Sequence, residues 1–207
     1  MLFDALAQFS LLVMLLLLKR FVNVFPSLMA CLWRGKECLN LEASVKLARD
    51  RDIITLAMVL PFCLVAFRFR LYAPAFLDGM SSNALLGVYL AIFCAYAALR
   101  FLATALFRPK AMPKKVYDTA SKASFTFFDL LTLALLLIGG ITDLFDVQEL
   151  IVRDAMLWVS AGIYLVFLLR KIQIFSYSCS VFAAFLYLCA LELIPTGILI
   201  VPAVIFS

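Results

Sequence analysis

Six long apolar runs determine what this chain can fold into. They cover residues 2–18, 53–73, 84–107, 123–142, 155–169 and 174–206. A helix needs about 20 apolar residues, within a range of about 17 to 25, to cross a bilayer. Hydrophobic residues make up 66% of the chain, against about 45 to 50% in a soluble domain. The sequence therefore predicts an all-α polytopic membrane protein, a single domain built as a bundle of six transmembrane helices.

The positions of Lys and Arg predict the orientation of this bundle. The segments after the first, third and fifth runs contain seven, five and two basic residues, and in a six-helix bundle these segments lie on one side. The positive-inside rule makes that side cytoplasmic, so both termini are expected in the periplasm. Lys19 and Arg20 follow the first run instead of preceding it, which favours a retained helix over a signal peptide. The net charge of +5 thus reflects topology and not nucleic-acid binding.

Residues 21–52, between the first two runs, have the pattern of a cytoplasmic interfacial amphipathic segment. Phe21, Phe25 and Leu28 share one helical face, and Trp33 suits the headgroup layer. Two interpretations stay open, a collar resting on the membrane and a docking surface for a partner.

A carboxylate, Glu192, lies deep in the last run, where a charged side chain costs about 2.5 to 3.5 kcal/mol to insert. If the sixth helix starts near Ile174, Glu192 lies about 27 Å along it. A second helix starting near Ile53 reaches Arg68 after about 22 Å and Arg70 after about 26 Å. Because the depths match, the sequence predicts that Glu192 pairs with Arg68 or Arg70.

The same calculation pairs Arg100 with Asp129 near the cytoplasmic side. Arg100 lies about 10 Å before the end of the third helix and Asp129 about 9 Å after the start of the fourth. Two alternatives stay open: Arg100 extends to the interface, and Asp129 is a hydrogen-bonded residue at a helix start.

Residues that usually carry catalysis or bind cofactors are scarce. The chain has no histidine, which excludes histidine-based triads and histidine-ligated metal or haem. Its six cysteines never form Cys-x-x-Cys, so we expect apolar packing instead of a metal or redox site. No glycine-rich phosphate loop occurs. The sequence therefore predicts no catalytic, cofactor-binding or metal site, and argues against an enzyme.

The last third of the chain has a Leu-Tyr-Leu-Cys-x-Leu-Glu-x-x-Pro motif after a basic turn. Its residues are Leu186, Tyr187, Leu188, Cys189, Leu191, Glu192 and Pro195. In this motif and in its helix count the chain resembles an uncharacterised Bacteroidota multipass inner-membrane family, domain of unknown function 4271. The resemblance implies a bacterial inner-membrane location and brings no activity with it.

Taken together, these patterns favour a non-catalytic inner-membrane subunit or scaffold of a larger cell-envelope complex, with Arg-carboxylate pairs locking the bundle. Its expected partners are membrane lipids and other inner-membrane proteins, bound through apolar helix faces or the cytoplasmic collar. The main alternative is a small proton-coupled transporter or channel that uses Glu192 and Asp129. A membrane enzyme of lipid-linked sugar metabolism is a third possibility.

Overall fold

The computed structural model describes residues 2–72, 77, 79–106, 114–145, 148–176 and 181–205. Its helices are α1 (Leu2–Trp33), α2 (Gly35–Ala43), α3 (Val45–Arg68), α4 (Ser82–Leu106), α5 (Lys114–Leu144), α6 (Glu149–Ser176), α7 (Val181–Leu188) and α8 (Ile194–Ile205). A π-helical turn, Cys189–Leu193, joins α7 to α8 without a break. The described residues contain no β-strand, so the predicted all-α fold class is confirmed.

Among the described residues, five helical segments are long and apolar enough to cross a membrane. They are most of α1 and of α5, the whole of α4 and of α6, and the stretch Ala184–Val201 through the π turn. α3 is not one of them, because charged residues occupy its first two turns and only Ile53 to Phe67 is free of charge. That stretch is about 22 Å long at the helical rise, shorter than the hydrocarbon core of about 30 Å. A membrane protein is therefore supported, while α3 as a sixth crossing stays a prediction.

α1 is longer than predicted and belongs to the bundle over its whole length. Val24, Leu28 and Cys31 are at most 1% exposed and pack in the same core as Ile54 and Met58 of α3. The first third of the predicted interfacial segment is therefore part of α1, and its position relative to the membrane interface stays a prediction. Basic side chains at 19 and 20 suggested a boundary, but both lie on the exposed surface of α1, where charges do not interrupt a helix.

Among the residues predicted to lie in the interface, only Trp33 is largely exposed, at 79%. Phe21 and Phe25 are partly buried, with ring centroids 5.6 Å apart. After them the chain turns at Arg34 and again at Ser44, which both have extended backbone, and the short helix α2 lies between these turns. The collar is thus reduced to α2 and its two flanking turns.

α5 is the most buried of the five candidate spanning segments, and its composition explains why other helices pack closely around it. Small side chains line its buried face: Thr119, Ala120, Ala123, Ser124, Thr126 and Thr132. Small residues allow close helix contact in a bilayer, where association depends on packing and hydrogen bonds. The hydroxyls of Ser124 and Thr132 bond to carbonyls three or four residues earlier in α5, so they are satisfied without leaving the helix.

The π turn explains how the last helix accommodates Pro195. In this turn the backbone N–H of Ile194 donates to the carbonyl of Cys189, five residues earlier. Proline has no N–H, and its ring crowds the carbonyl of the residue four positions before it, here Leu191. Widening the preceding turn is one way to relieve that conflict. The helix therefore accommodates Pro195 through a π turn and continues beyond it.

Contacts between distant segments identify the two ends of the bundle. At one end, which we call the basic end, Arg170 Nε lies 2.9 Å from the carbonyl of Leu32, and the Tyr117 hydroxyl lies 2.6 Å from the carbonyl of Thr104. At the opposite end the rings of Phe3 and Phe67 are 5.6 Å apart. Long helices that follow one another in the sequence are therefore antiparallel.

Candidate functional site

Glu192 lies in a buried cluster of three charges, Glu192, Arg100 and Lys171, which we call the Glu192 centre. Arg100 of α4 donates from Nη2 to Oε1 of Glu192 at 2.6 Å, and Lys171 of α6 donates to the same oxygen. Glu192 and Lys171 are fully buried, and the Arg100 side chain is mostly buried. Because each residue comes from a different helix, the cluster ties the π turn to α4 and α6.

Aromatic rings stabilise the cations of the Glu192 centre, which has two cations and one carboxylate. The centroid of the Phe167 ring lies 5.4 Å from the guanidinium carbon of Arg100 and 5.6 Å from Nζ of Lys171. The Phe175 ring lies 5.8 Å from the same Nζ. A desolvated cation over a ring is stabilised by about 2 kcal/mol, so these rings offset part of the desolvation of the second cation.

A layer of hydroxyl groups joins the same three helices one turn further along. The Tyr164 hydroxyl of α6 donates to Oγ1 of Thr196 at 3.1 Å, and the Tyr96 hydroxyl of α4 lies 3.3 Å from that oxygen. Tyr164 also lies 3.4 Å from the carbonyl of Glu192. The Glu192 centre and this hydroxyl layer together form two successive polar cross-links.

The predicted partner of Glu192 is wrong. Arg68 instead pairs with Glu149 at 3.0 Å, at the opposite end of the bundle, and Arg70 lies at that end as well. The depth calculation started the last helix near Ile174, but α6 continues through that residue and α7 begins only at position 181. Glu192 therefore lies about 10 Å nearer to the basic end than calculated.

The predicted pairing of Arg100 with Asp129 is also wrong. α5 begins at Lys114, nine residues before its predicted start at 123, so Asp129 lies about 22 Å into the helix while Arg100 lies about 9 Å from the end of α4. Asp129 is buried beside α3, where the Thr55 hydroxyl lies 3.0 Å from its Oδ2. Within the described residues its Oδ1 has no hydrogen-bond partner.

Sequence reasoning missed a second buried charge cluster around Arg51, in the first turns of α3. Arg51 is 1% exposed; it donates to Glu42 of α2 and to Asp52 at 2.6 Å. Lys122 of α5 lies 3.5 Å from the second oxygen of Glu42. These contacts hold α2 against α3 and α5. The alternating Arg and Asp residues at 49–52 are a usable signal, although they look like an ordinary exposed charge run.

The residues of the Leu-Tyr-Leu-Cys-x-Leu-Glu-x-x-Pro motif divide between the core and the surface. Leu188, Leu191, Glu192 and Pro195 are buried, whereas Leu186 is half exposed. The Tyr187 ring lies 6.4 Å from the Phe175 ring, beside the Glu192 centre. The motif therefore surrounds the π turn and its ion pairs. In comparisons with known proteins, no family model, curated protein or solved structure matches this chain.

Proposed function

We propose that this chain is a non-catalytic integral membrane subunit or scaffold of a larger cell-envelope membrane complex. The observation that carries the proposal is the bonding of its buried charges to one another across helices. The Glu192 centre joins α4, α6 and the π turn, and the Arg51 cluster joins α2, α3 and α5. Breaking a buried ion pair is strongly destabilising, so these clusters favour one fixed arrangement of helices.

α1 is the helix that we expect a partner to cover. Only 6% of its most apolar stretch is buried in the chain, compared with 39% for α5. Between residues 9 and 18 all of its exposed side chains are apolar, and they include Phe9, Leu12 and Leu16. Such a face packs equally well against lipid or against another transmembrane helix, and a fixed bundle would present it in a constant position.

The location and orientation belong to the same proposal. The basic end holds most of the Lys and Arg residues, which supports a cytoplasmic position for that end. With α3 as the sixth crossing, both termini lie in the periplasm. The resemblance to the Bacteroidota family supports the inner membrane of a bacterium.

Native purification in polymer nanodiscs tests the subunit proposal. We expect stable co-purification with defined proteins at fixed stoichiometry, and loss of these proteins after Leu12→Trp and Leu16→Trp, which alter the α1 face. Phe101→Trp and Leu102→Trp, on an exposed face of α4, provide the matched control. A chain that purifies alone and keeps its fold contradicts the proposal.

A second candidate function, proton-coupled transport, is favoured by one specific observation. In the described part of the chain, Glu192 and Asp129 each have one buried carboxyl oxygen without a hydrogen-bond partner. Such oxygens can accept a transient proton. Proton flux into liposomes that is lost in both Glu192→Gln and Asp129→Asn supports transport, and flux equal to that of protein-free liposomes excludes it.

A further inference from the structure

A cavity of about 440 Å³ opens at the end of the bundle opposite the basic end. Arg68, Arg70, Arg153 and Glu149 line it, so its lining has two more positive than negative charges. We call this cavity the arginine pocket. These arginines are the only Lys or Arg residues in the sequence outside the three basic segments and the Glu192 centre. All the remaining positive charge of the chain is therefore gathered around one cavity.

Two of these arginines have donors that a ligand can engage. Arg68 donates to Glu149 at 3.0 Å, but both side chains are more than half exposed, and ion pairs in water are weak. An incoming anion can therefore compete with Glu149 for Arg68. Nε of Arg153 is buried and has no partner among the described residues. Buried donors are nearly always satisfied, so this nitrogen requires an acceptor beyond the described residues, which a ligand can supply.

The backbone at Arg70 adopts a conformation that is costly for any residue with a side chain. Its φ is +45°, the only positive φ of a non-glycine residue in the described ranges. The N–H of Leu71 bonds to the carbonyl of Ala66, and that of Arg70 to the carbonyl of Phe67, which is the pattern of a Schellman helix end. Glycine is the usual residue at this left-handed position. Replacing Arg70 by glycine would therefore remove the arginine side chain without straining this helix end.

The helix geometry around the pocket adds to its attraction for anions. α4 begins at Ser82 and α6 begins at Glu149, and both residues line the cavity. Unpaired N–H groups and the helix dipole favour negative charge at a helix N-terminus. Two long helices thus direct their positive ends towards the space that the three arginines surround.

The surface next to the arginine pocket is apolar. Leu150 lines the cavity and is 67% exposed, and its neighbours Phe145 and Ile151 are also exposed. We propose that the arginine pocket binds a phosphate group, supplied by the headgroup of an anionic phospholipid. The guanidinium groups bind the phosphate oxygens, for which their planar forks are well matched, and the apolar surface contacts the acyl chains.

Binding to the purified full chain in a nonionic detergent tests this proposal. The probes are short-chain phosphatidylglycerol, short-chain phosphatidylcholine and inorganic phosphate, with native mass spectrometry and the thermal unfolding midpoint as readouts. We expect phosphatidylglycerol to bind and raise the midpoint more than the other two. Arg153→Gln and Arg70→Gly each remove a charge-assisted contact, so each should weaken binding about tenfold.

The Arg70→Gly variant distinguishes a loss of lipid binding from a loss of stability. Glycine suits the left-handed backbone at this position, so we expect the unfolding midpoint without lipid to be kept or raised while the affinity falls. Arg49→Gln, at an exposed arginine of the basic end, is the matched control and should leave binding unchanged. Equal protection by inorganic phosphate overturns the lipid source. The site is overturned if Arg153→Gln and Arg70→Gly both bind with the wild-type affinity. It is also overturned if Arg49→Gln loses as much affinity as these two variants.

Discussion

At the scale of single residues, the Glu192 centre contains two positive charges and one negative charge. Two cations share one carboxylate oxygen, so removing different members leaves different amounts of unbalanced charge. The loss of Glu192 leaves two buried cations close together. The loss of Lys171 leaves one neutral pair between Arg100 and Glu192. The three side chains should therefore differ widely in their contribution to stability.

We predict that Glu192→Gln lowers the free energy of unfolding by about 3 to 5 kcal/mol, the range for breaking a buried ion pair. Lys171→Met should lower it by less than about 1 kcal/mol, because methionine fills similar space and the remaining pair is neutral. Unfolding by SDS in mixed micelles measures both values. The double variant should be more stable than Glu192→Gln alone, and an additive loss would contradict the shared cluster.

Asp129, unlike Glu192, should contribute little to the free energy of unfolding. It is buried and lies near one hydroxyl, that of Thr55, which also lies 3.0 Å from the carbonyl of Arg51. A carboxyl group with so few donors is poorly compensated for its desolvation. We predict that Asp129→Leu changes the free energy of unfolding by less than about 1 kcal/mol in either direction. A loss as large as that of Glu192→Gln would mean that Asp129 has a second strong partner.

Residue pairing was only partly predictable from the sequence. The burial cost of Glu192 correctly indicated that it needs a cationic partner. It has two cationic partners, and one of them is an arginine. The identity of that arginine depended on depth, and depth depended on helix ends that the apolar runs do not mark. Lys171 was assigned to a basic turn because it follows Arg170, although it lies within α6 and its side chain enters the core.

At the scale of elements, the helical class was predictable and the helix boundaries were not. Apolar runs mark the part of a helix that is deep in the membrane, but the hydrogen-bonded helix continues into polar residues without interruption. α1 passes through Lys19 and Arg20, and α5 begins among lysines well before its apolar run. The connection between α1 and α3 was therefore much shorter than the segment predicted for it.

Thiol accessibility can check the continuity of α1. In a background without the native cysteines, Leu28→Cys should resist a water-soluble maleimide because position 28 is buried in the core of the bundle. Trp33→Cys, at an exposed position in the same helix, should react and serves as the control. Fast labelling at position 28 in intact membranes would favour a separate helix in the interface.

Adjacent glycines near the end of α5 form a matched pair for testing helix packing. A Cβ at Gly139 would lie 3.3 Å from the Phe69 ring and 3.4 Å from the methyl of Met156, whereas Gly140 has open space. We predict that Gly139→Val lowers the free energy of unfolding by about 1 to 3 kcal/mol through overpacking. Gly140→Val should be neutral or slightly stabilising, because valine is a better helix former than glycine. Equal effects of the two substitutions would contradict the close approach of α3 and α6 to Gly139.

At the scale of the whole molecule, the contacts place the start of α1 and the end of α8 at the end of the bundle opposite the basic end. Phe3 contacts Phe67 near the end of α3. In the last helix, Glu192 lies beside Lys171 and Thr196 beside Tyr164, so this helix runs antiparallel to α6. We predict that periplasmic alkaline phosphatase is active when fused to either terminus, and that green fluorescent protein fused there is dark. Opposite results at the two termini would exclude an even number of crossings.

The π turn has a further consequence for how this chain can vary. A π turn contains one residue more than the α-helical turn that it replaces, so deleting one residue between 189 and 193 would restore a regular helix. Everything after the deletion would keep nearly its present rotation and height relative to α7, because the wide turn already absorbs the extra residue. Thr196 would then stay close to Tyr96 and Tyr164, and the helix would remain apolar and able to span a bilayer. A single-residue deletion within α7 would instead rotate everything after it by about 100° and misalign the two polar layers, so the π turn is the place in this helix where a change of length is best tolerated.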